Sequence, residues 1–519
     1  MIGPRAPETL ASENYDLLVI GGGLLGAFLA WDASLRGLKT ALVERDDFGA
    51  ATTSASGRVL HGGLRSLQHM DPRAASLSLR ERDTISRLAP DLCAPLPFLF
   101  PTEAGRSESL LFRSAALIWN AFVRSTPGRG SPPARFAATV PELTGEWRGL
   151  APDGGLLVHD RQIVAPERLV LAVLAAAVAA GAIVCNRMEA EQILVSGGRV
   201  SGARARDHVA NRRLEIRATR VINAAGPWAT ELWTEQSGPR PRIGFARGIH
   251  LVVDRVPPPM ALGLPWTEQS ADGRWSRARR VFVMPWAGVT LVGASWQPVR
   301  SPPGRLADAS REEIERFRTD IQGRWPELDL TPERTRYVTS GLYPLFGVEI
   351  VPRDRYALAR RPFVQHHEDR GGPAGLVTVI GVKLTTARAL AERILDEMAE
   401  RAALSLRPCA TADAAALRGA TPAPVAGIGF EPIRSPEMAR SLARFSAERE
   451  QAGSLEDLFL RRTVAGQFGV PAREVLDSAC AELARVLGWK EERREIETRQ
   501  FLRRYRRMGL IFPETEGTT

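Results

Sequence analysis

The first residues whose types and spacing could do chemistry are a run of glycines and one carboxylate. In Gly21-Gly22-Gly23-Leu24-Leu25-Gly26, Gly21 permits a tight turn and Gly23 lets a backbone approach a pyrophosphate. Gly26 lets a helix pack close to a strand, and the helix N-terminus faces the phosphate charge. Glu44 follows 18 residues after Gly26, about where an acid reaches the hydroxyls of an adenosine ribose. The elements that must position these groups are legible around them. Asp16 to Ile20 is a short apolar run of buried-strand character, and Ala27 to Arg36 has helical periodicity closed by Gly37. Lys39 to Val43 is a second strand ending at Glu44. Strand, glycine turn, helix, strand and acid together predict a dinucleotide-binding βαβ unit.

The residues that follow narrow the dinucleotide. Asp46 to Ser56 is a loop of small and hydroxyl residues, and Arg58-Val59-Leu60-His61-Gly62-Gly63-Leu64-Arg65 comes after it. A nicotinamide enzyme usually resumes its strand–helix alternation here. A loop of this kind instead suits a long, buried cofactor whose second phosphate and ring system are threaded through the protein. The glycine turn, Glu44, Thr52-Thr53-Ser54-Ala55-Ser56 and the H-G-G-L-R run resemble the FAD-dependent glycerol-3-phosphate dehydrogenases, within the D-amino-acid-oxidase-like flavoproteins.

Later motifs carry the same resemblance in the same order. They are Asn223-Ala-Ala-Gly226-Pro-Trp228, Arg247-Gly-Ile-His250, Val281-Phe-Val-Met-Pro-Trp286 and Gly381-Val-Lys383-Leu384-Thr385-Thr-Ala-Arg388. The resemblance implies FAD contacts from Gly21, Gly23, Leu24, Leu25, Gly26 and Glu44. It adds Thr52, Thr53, Ser54, Ser56, Arg58, Val59 and Leu60 from the loop, and Gly226, Gly381, Lys383, Leu384 and Thr385 from the later turns. The reaction implied is oxidation of sn-glycerol 3-phosphate to dihydroxyacetone phosphate, with a hydride passing to flavin N5 and electrons going on to a quinone. Such chemistry needs a cation beside the flavin, a base for the hydroxyl proton and cations for the phosphate. Lys383 is the candidate for the first need, and His61 and His250 for the second. Arg65 resembles the family's substrate-contacting arginine, and Arg360 is a second candidate anion ligand, with His250 and Tyr343 beside the substrate.

The chain departs from the family where substrate is gripped. Ser340-Gly-Leu-Tyr343-Pro-Leu stands where the family has S-G-V-R-P-L, so a phosphate-binding arginine is a tyrosine. Ser66 and Ala387 replace tyrosines, Gly57-Arg58 a Ser-Lys pair, Val382 a glycine and Trp296 an acid. Losing one charged hydrogen bond to a phosphate costs about 1.5–3 kcal/mol. Arg360, Arg361 and Arg247 are candidates to compensate. The alternative that these changes motivate is a same-fold FAD enzyme acting on another hydroxy, polyol or amine substrate, with oxygen as a possible acceptor. A non-catalytic flavoprotein is the third reading, and His61, His250, Arg65 and Lys383 argue against it.

The predicted fold class is α/β: a Rossmann-like FAD-binding domain interleaved with an antiparallel-sheet substrate domain, followed by an all-α C-terminal domain. Residues 1–14 read as a loose extension. The FAD-binding domain takes about 15–95, 155–240 and 340–401, and the substrate domain about 96–154 and 241–339. Residues 402–434 read as a Pro/Gly/Ala-rich linker and 435–519 as helical, with Ser454-Leu-Glu-Asp457 before Phe459-Leu-Arg461-Arg462-Thr463. The 69 basic and 59 acidic residues leave a net charge of +10, spread along the chain except near the C-terminus, which points away from nucleic acid. The four cysteines are far apart with no C-x-x-C pair, so neither a disulfide framework nor a metal site is expected and a reducing cytoplasm fits. There is no secretory signal and no run of about 20 apolar residues. Membrane contact would therefore be peripheral, on the inner face; residues 109–123 form an apolar, amphipathic helix that reads either as a core helix or as a face dipping into a bilayer surface. A small-molecule substrate, an electron acceptor and a homodimer complete the partners expected.

Overall fold

The computed structural model describes residues 1–102, 106–126, 132–269, 276–299, 308–345, 358–415, 417 and 432–510. Parts of the expected 126–133 loop, of the run before Arg360, of the 402–434 linker and of the C-terminal tail lie outside these.

Strand Leu17–Ile20 is buried along its whole length, which explains its unbroken apolar run. Leu17 and Val19 face one way, into a core shared with helices Leu24–Leu35, Pro166–Ala179 and Ala387–Arg401. Leu18 and Ile20 face the other way, into a core shared with a four-stranded sheet. The strand sits inside a six-stranded sheet ordered Phe363–His366, Leu376–Ile380, Val221–Asn223, Leu17–Ile20, Thr40–Val43 and Ile183–Cys185. Its pairings are parallel except at the Phe363–His366 edge. Three glycine-bearing turns, after Ile20, Asn223 and Ile380, therefore leave the same end of one sheet. Ligands of open parallel sheets bind at that end.

A hairpin turns at Gly197-Gly198, with Ser196 opposite Arg199. It belongs to the four-stranded sheet, whose edge is Asn14–Tyr15 paired in parallel with Arg217–Ala218. The N-terminal residues are thus not a loose extension. Pro7–Ser12 is a short helix, Leu10 is fully buried and Arg5 donates to Asp207 at 2.8 Å.

A nine-stranded sheet forms the other half of the molecule. Its strands are longer than their apolar cores suggest: Gly244–Val253, Ser276–Trp286 and Val289–Val299 run on through polar residues. The short strand Val59–Leu60 pairs with Gln162 and Arg161, which ties the loop behind Glu44 to this sheet. Helices Pro436–Glu450, Arg473–Leu487 and Glu491–Arg507 follow at the C-terminus and share a core with the sheet. Within the expected linker, Thr411 and Leu417 are buried, and Arg388 donates to Thr411 Oγ1 at 3.0 Å.

Candidate active site

One cavity of about 2090 Å³ runs between the two halves. Ordinary small-molecule sites occupy about 300–1,000 Å³, so this one has room for a dinucleotide and a substrate together.

At one end lies the phosphate cradle. Gly21 has φ +112°, and a Cβ there would stand 2.6 Å from the Ala224 carbonyl oxygen. A Cβ on Gly26 would stand 1.9 Å from the Gly21 oxygen, so neither position accepts a side chain. Helix Leu24–Leu35 starts beside them, its Leu24 N–H donating to Thr53 Oγ1 at 3.2 Å. The Glu44 carboxylate accepts from the Gly22 N–H at 2.6 Å and the Asp46 N–H at 2.8 Å. Burial pushes its pKa up to about 7. Beyond Glu44 the wall is made by Arg187, Met188, Glu189 and Trp228, with the Arg45 guanidinium 4.6 Å over the Trp228 ring. Trp228 closes the Asn223–Trp228 motif, whereas Arg187, Met188 and Glu189, at the start of a hairpin strand with no glycine signature, were covered by no expectation.

At the other end stand the groups that could act on a substrate. His61 Nδ1 lies 3.1 Å from Asp160 Oδ2, and Asp160 Oδ1 accepts from the Gly62 N–H at 2.7 Å. The His61 N–H donates to Thr385 Oγ1 at 3.1 Å. The His61 ring is half exposed, toward the cavity. His250 is different: it is 6 % exposed, and burial with the Arg58 charge pulls its pKa down to about 4. Lys383 Nζ donates to Ser66 Oγ at 3.2 Å. Burial lowers the Lys383 pKa, Arg65 adds to that and Asp71 opposes it. Burial also lowers that of Arg65, with Arg279 and Arg360 pressing the same way and Tyr343 opposing. Arg279, which sequence reasoning did not single out, thus joins Arg65, Arg360 and Lys383 on the cavity wall.

The Tyr343 hydroxyl donates to the Ala359 oxygen at 3.0 Å, and Trp296 lies edge-on to its ring at 5.3 Å. Tyr343 therefore presents an aromatic wall and no hydroxyl donor. Arg247, expected as a compensating cation, is held by Glu313 at 2.6 and 2.5 Å. Arg361 is exposed beside Asp71, 3.7 Å away.

Among the residues expected to touch cofactor, Gly21, Gly23, Leu24, Leu25, Gly26, Glu44, Thr52, Thr53, Ser54, Ser56, Val59, Gly226, Gly381, Lys383, Leu384 and Thr385 line the cavity. Arg58 and Leu60 do not. Leu60 is buried in the helix-side core. Arg58 points away, donating to Glu167 at 2.9 Å, to Gln467 at 2.7 Å and to the Val164 oxygen at 2.9 Å, with Trp286 beneath it at 4.2 Å. A motif read along the chain cannot tell which way the side chain at such a bend turns.

These residues fit a dinucleotide cofactor on the structure's own terms. Ser56 Oγ and His250 Nδ1 are buried on the cavity side without a hydrogen-bond partner among the described residues, and Gly21 and Gly26, closed to any Cβ by neighbouring backbone, let the turn and the helix N-terminus pack tightly at the cavity wall. A phosphate cradle joined by one cavity to a histidine–carboxylate pair and a cluster of cations defines a dinucleotide-dependent oxidoreductase. Residues 16–397 match the family described as FAD dependent oxidoreductase, and the chain belongs to that family. It is 30% identical over 420 residues to the glycerol-3-phosphate dehydrogenase of Synechocystis, covering 78% of this chain and 73% of the relative. The aerobic glycerol-3-phosphate dehydrogenase of Staphylococcus aureus is 28% identical over 417 residues, 78% and 71% of the two chains. The fold is that of the glycerol-3-phosphate dehydrogenase from Bacillus halodurans, solved with FAD, at a TM-score of 0.67 and 22% identity over 100% of both chains.

The raised pKa of Glu44 makes a pH prediction. The folded, cofactor-free protein holds this proton up to about pH 7, against the ordinary 4.5. The folded state therefore binds more protons within that window and loses stability as pH rises through it. His250 acts in the opposite sense: its depressed pKa removes stability as pH falls from 6.5 toward 4. Were the ribose hydroxyls of FAD to donate to Glu44, they would favour its ionised form, and binding would release the proton. The FAD dissociation constant is expected to fall by up to about tenfold per pH unit as pH rises toward 7, then level off. Fluorescence titration checks this, and Glu44→Gln should flatten the dependence.

Proposed function

We propose that the protein oxidises sn-glycerol 3-phosphate to dihydroxyacetone phosphate. The observation that carries this is the His61–Asp160 pair facing Arg65, Arg360 and Lys383 across the cavity that also holds the dinucleotide cradle. When bound, FAD supplies the acceptor for the hydride of the carbinol carbon. The protein's own groups do the rest. Asp160 fixes the His61 proton on Nδ1, which leaves Nε2 to take the substrate hydroxyl proton. Arg65 and Arg360 offer guanidinium forks to the phosphate. Lys383 supplies positive charge where negative charge develops. Phe98 and Phe282, each 6.2 Å from the His61 ring, give the base apolar neighbours on the side away from its exposed face. Tyr343 narrows the pocket through its ring.

The acceptor we propose is a membrane quinone reached peripherally. No helix among the described residues is long and apolar enough to cross a membrane. Helix Arg106–Ser125 instead presents Leu110, Leu111, Leu117 and Ile118 to solvent, each more than 60 % exposed, while Phe112 and Trp119 on its inner face line the cavity. Arg113 and Arg124 are exposed on the same helix, in keeping with anionic head groups.

The test is the anaerobic absorbance spectrum of the FAD-loaded protein. Addition of sn-glycerol 3-phosphate is expected to bleach the flavin band. A band that persists with this substrate but bleaches with a non-phosphorylated alcohol would overturn the reading. For the acceptor side, sedimentation with anionic phospholipid vesicles is expected and should fall several-fold in Leu111→Ser/Leu117→Ser, flavin reduction being kept; equal sedimentation of both proteins would sink the membrane assignment.

A further inference from the structure

The Ser454–Thr463 motif takes no part in the chemistry above, yet it reaches the cofactor cradle. The π-helical turn Asp457–Arg462 is buried against the dinucleotide unit. Asp47, on the turn just past Glu44, is 1 % exposed and receives four donors. They are Arg461 Nε at 2.6 Å, Arg462 Nη1 and Nη2 at 2.7 and 2.8 Å, and Asn186 Nδ2 at 2.9 Å.

The network extends to both sides of Glu44. Asp457 accepts from Arg461 at 2.5 Å and pairs with Arg187. The Arg187 N–H donates to the Asp46 oxygen at 2.8 Å, and the next N–H, of Met188, donates to the Glu44 oxygen at 2.8 Å. On the other side, the Gly49 N–H returns to the Gly22 oxygen at 3.0 Å. Ser454, Asp457, Leu460 and Arg461 also form part of the cavity wall.

We propose that the C-terminal helical segment is a clamp on the cofactor. Asp47, gripped by Arg461 and Arg462, is a positioning residue that holds the Glu44 turn in its FAD-binding shape. The physical reason is preorganisation. A surface turn bearing one acid would have to be ordered when FAD binds, and that ordering lowers affinity. Here the ordering is done in advance by guanidinium forks from a distant part of the chain. The inference rests on FAD as the occupant and is independent of which alcohol is oxidised.

Arg462 gives the cleanest test, because it touches Asp47 but is not among the residues of the cavity wall. Arg462 also donates to the Glu450 oxygen at 2.7 Å, so it is read together with Asp47: a rise in the FAD dissociation constant shared by both variants assigns the effect to their pairing. Arg462→Lys keeps the charge and loses the fork, and Asp47→Asn removes the carboxylate. The control is Arg444→Gln, which loosens the same helices at the Arg444–Glu482 pair, 2.6 Å, away from the cavity.

FAD dissociation constants are to be measured by fluorescence on stripped and reloaded full-length protein, together with melting temperatures of the stripped forms. The expected result is a dissociation constant raised by about tenfold or more in Arg462→Lys and in Asp47→Asn, and a wild-type value in Arg444→Gln even where its melting temperature falls. A wild-type dissociation constant in a folded Arg462→Lys overturns the clamp, as does an equal rise in Arg444→Gln. Should Asp47→Asn fail to fold, Arg462→Lys decides the matter. Should the wild-type protein itself take up no FAD, the cofactor assignment fails instead.

Discussion

Replacing His61 with Gln is expected to lower the rate of anaerobic flavin reduction by about 100- to 10,000-fold, the usual contribution of a positioned general base. FAD content should stay the same. Asp160 holds the ring at Nδ1, 3.1 Å away, and Thr385 Oγ1 holds the backbone by accepting the His61 N–H at 3.1 Å. Asp160 is itself braced by the Gly62 N–H at 2.7 Å and by Arg82, 3.6 Å away. That leaves one ring nitrogen to face substrate in a defined tautomer. His250 cannot substitute at neutral pH, because a group with its pKa near 4 is a weak proton acceptor there. Asp160→Asn should lower the rate in the same direction without changing the substrate dissociation constant much, since it alters orientation and charge at the base and not the anion seat. Stopped-flow reduction with sn-glycerol 3-phosphate separates the two quantities. A His61→Gln enzyme that keeps more than a tenth of the wild-type rate would remove His61 from the role of base.

Lys383→Met is expected to cost about 100- to 1,000-fold in the same rate, the scale on which losing one preorganised charge-stabilising donor is felt. Lys383 follows strand Leu376–Ile380 and precedes helix Ala387–Arg401, so two rigid elements aim its side chain into the cavity. Its hydrogen bond to Ser66 is a long one at 3.2 Å. A cation in this place favours whatever negative charge accumulates as the flavin is reduced. The second signature is therefore thermodynamic: the flavin midpoint potential should move to a more negative value in Lys383→Met. A redox titration reads this directly and does not depend on turnover. Unchanged potential and unchanged rate together would return Lys383 to the status of a solvated lysine.

The parts of the site that were legible from the chain are those whose meaning is local. Gly21, Gly23 and Gly26 read correctly because a turn, a strand and a helix within a few residues dictate them, and helix Leu24–Leu35 begins where the glycines end. The first-strand residues read correctly for a similar reason: burial on both faces forces an unbroken apolar run. Asp160 was invisible because its partner His61 lies 99 residues away, and a single Asp in a strand has no signature. Arg58 was misassigned by the same lack. Its location in a cofactor motif implied an FAD contact, while its partners Glu167 and Gln467 lie 109 and 409 residues off. The strands of the substrate-side sheet run past their apolar cores into polar residues, as at Ser276–Trp286 and Val289–Val299, where an apolar run gives no sign of their ends. Tyr343 shows the opposite case: the departure from the family was plain in the letters, but only the structure shows its hydroxyl spent on Ala359.

The joint at Arg58 has a consequence for how the protein is made. Chains emerge from the ribosome N-terminus first, and domains tend to fold as they appear. The glycine cradle and Glu44 emerge well before the C-terminal helices. Yet Arg58, which sets the bend between the hydroxyl loop and His61, leans on Gln467, which emerges 409 residues later. Until then a guanidinium that is 1 % exposed in the finished protein has only part of its shell. Flavin loading should accordingly wait until Gln467 and the helices around it have emerged, with the dinucleotide unit empty until then.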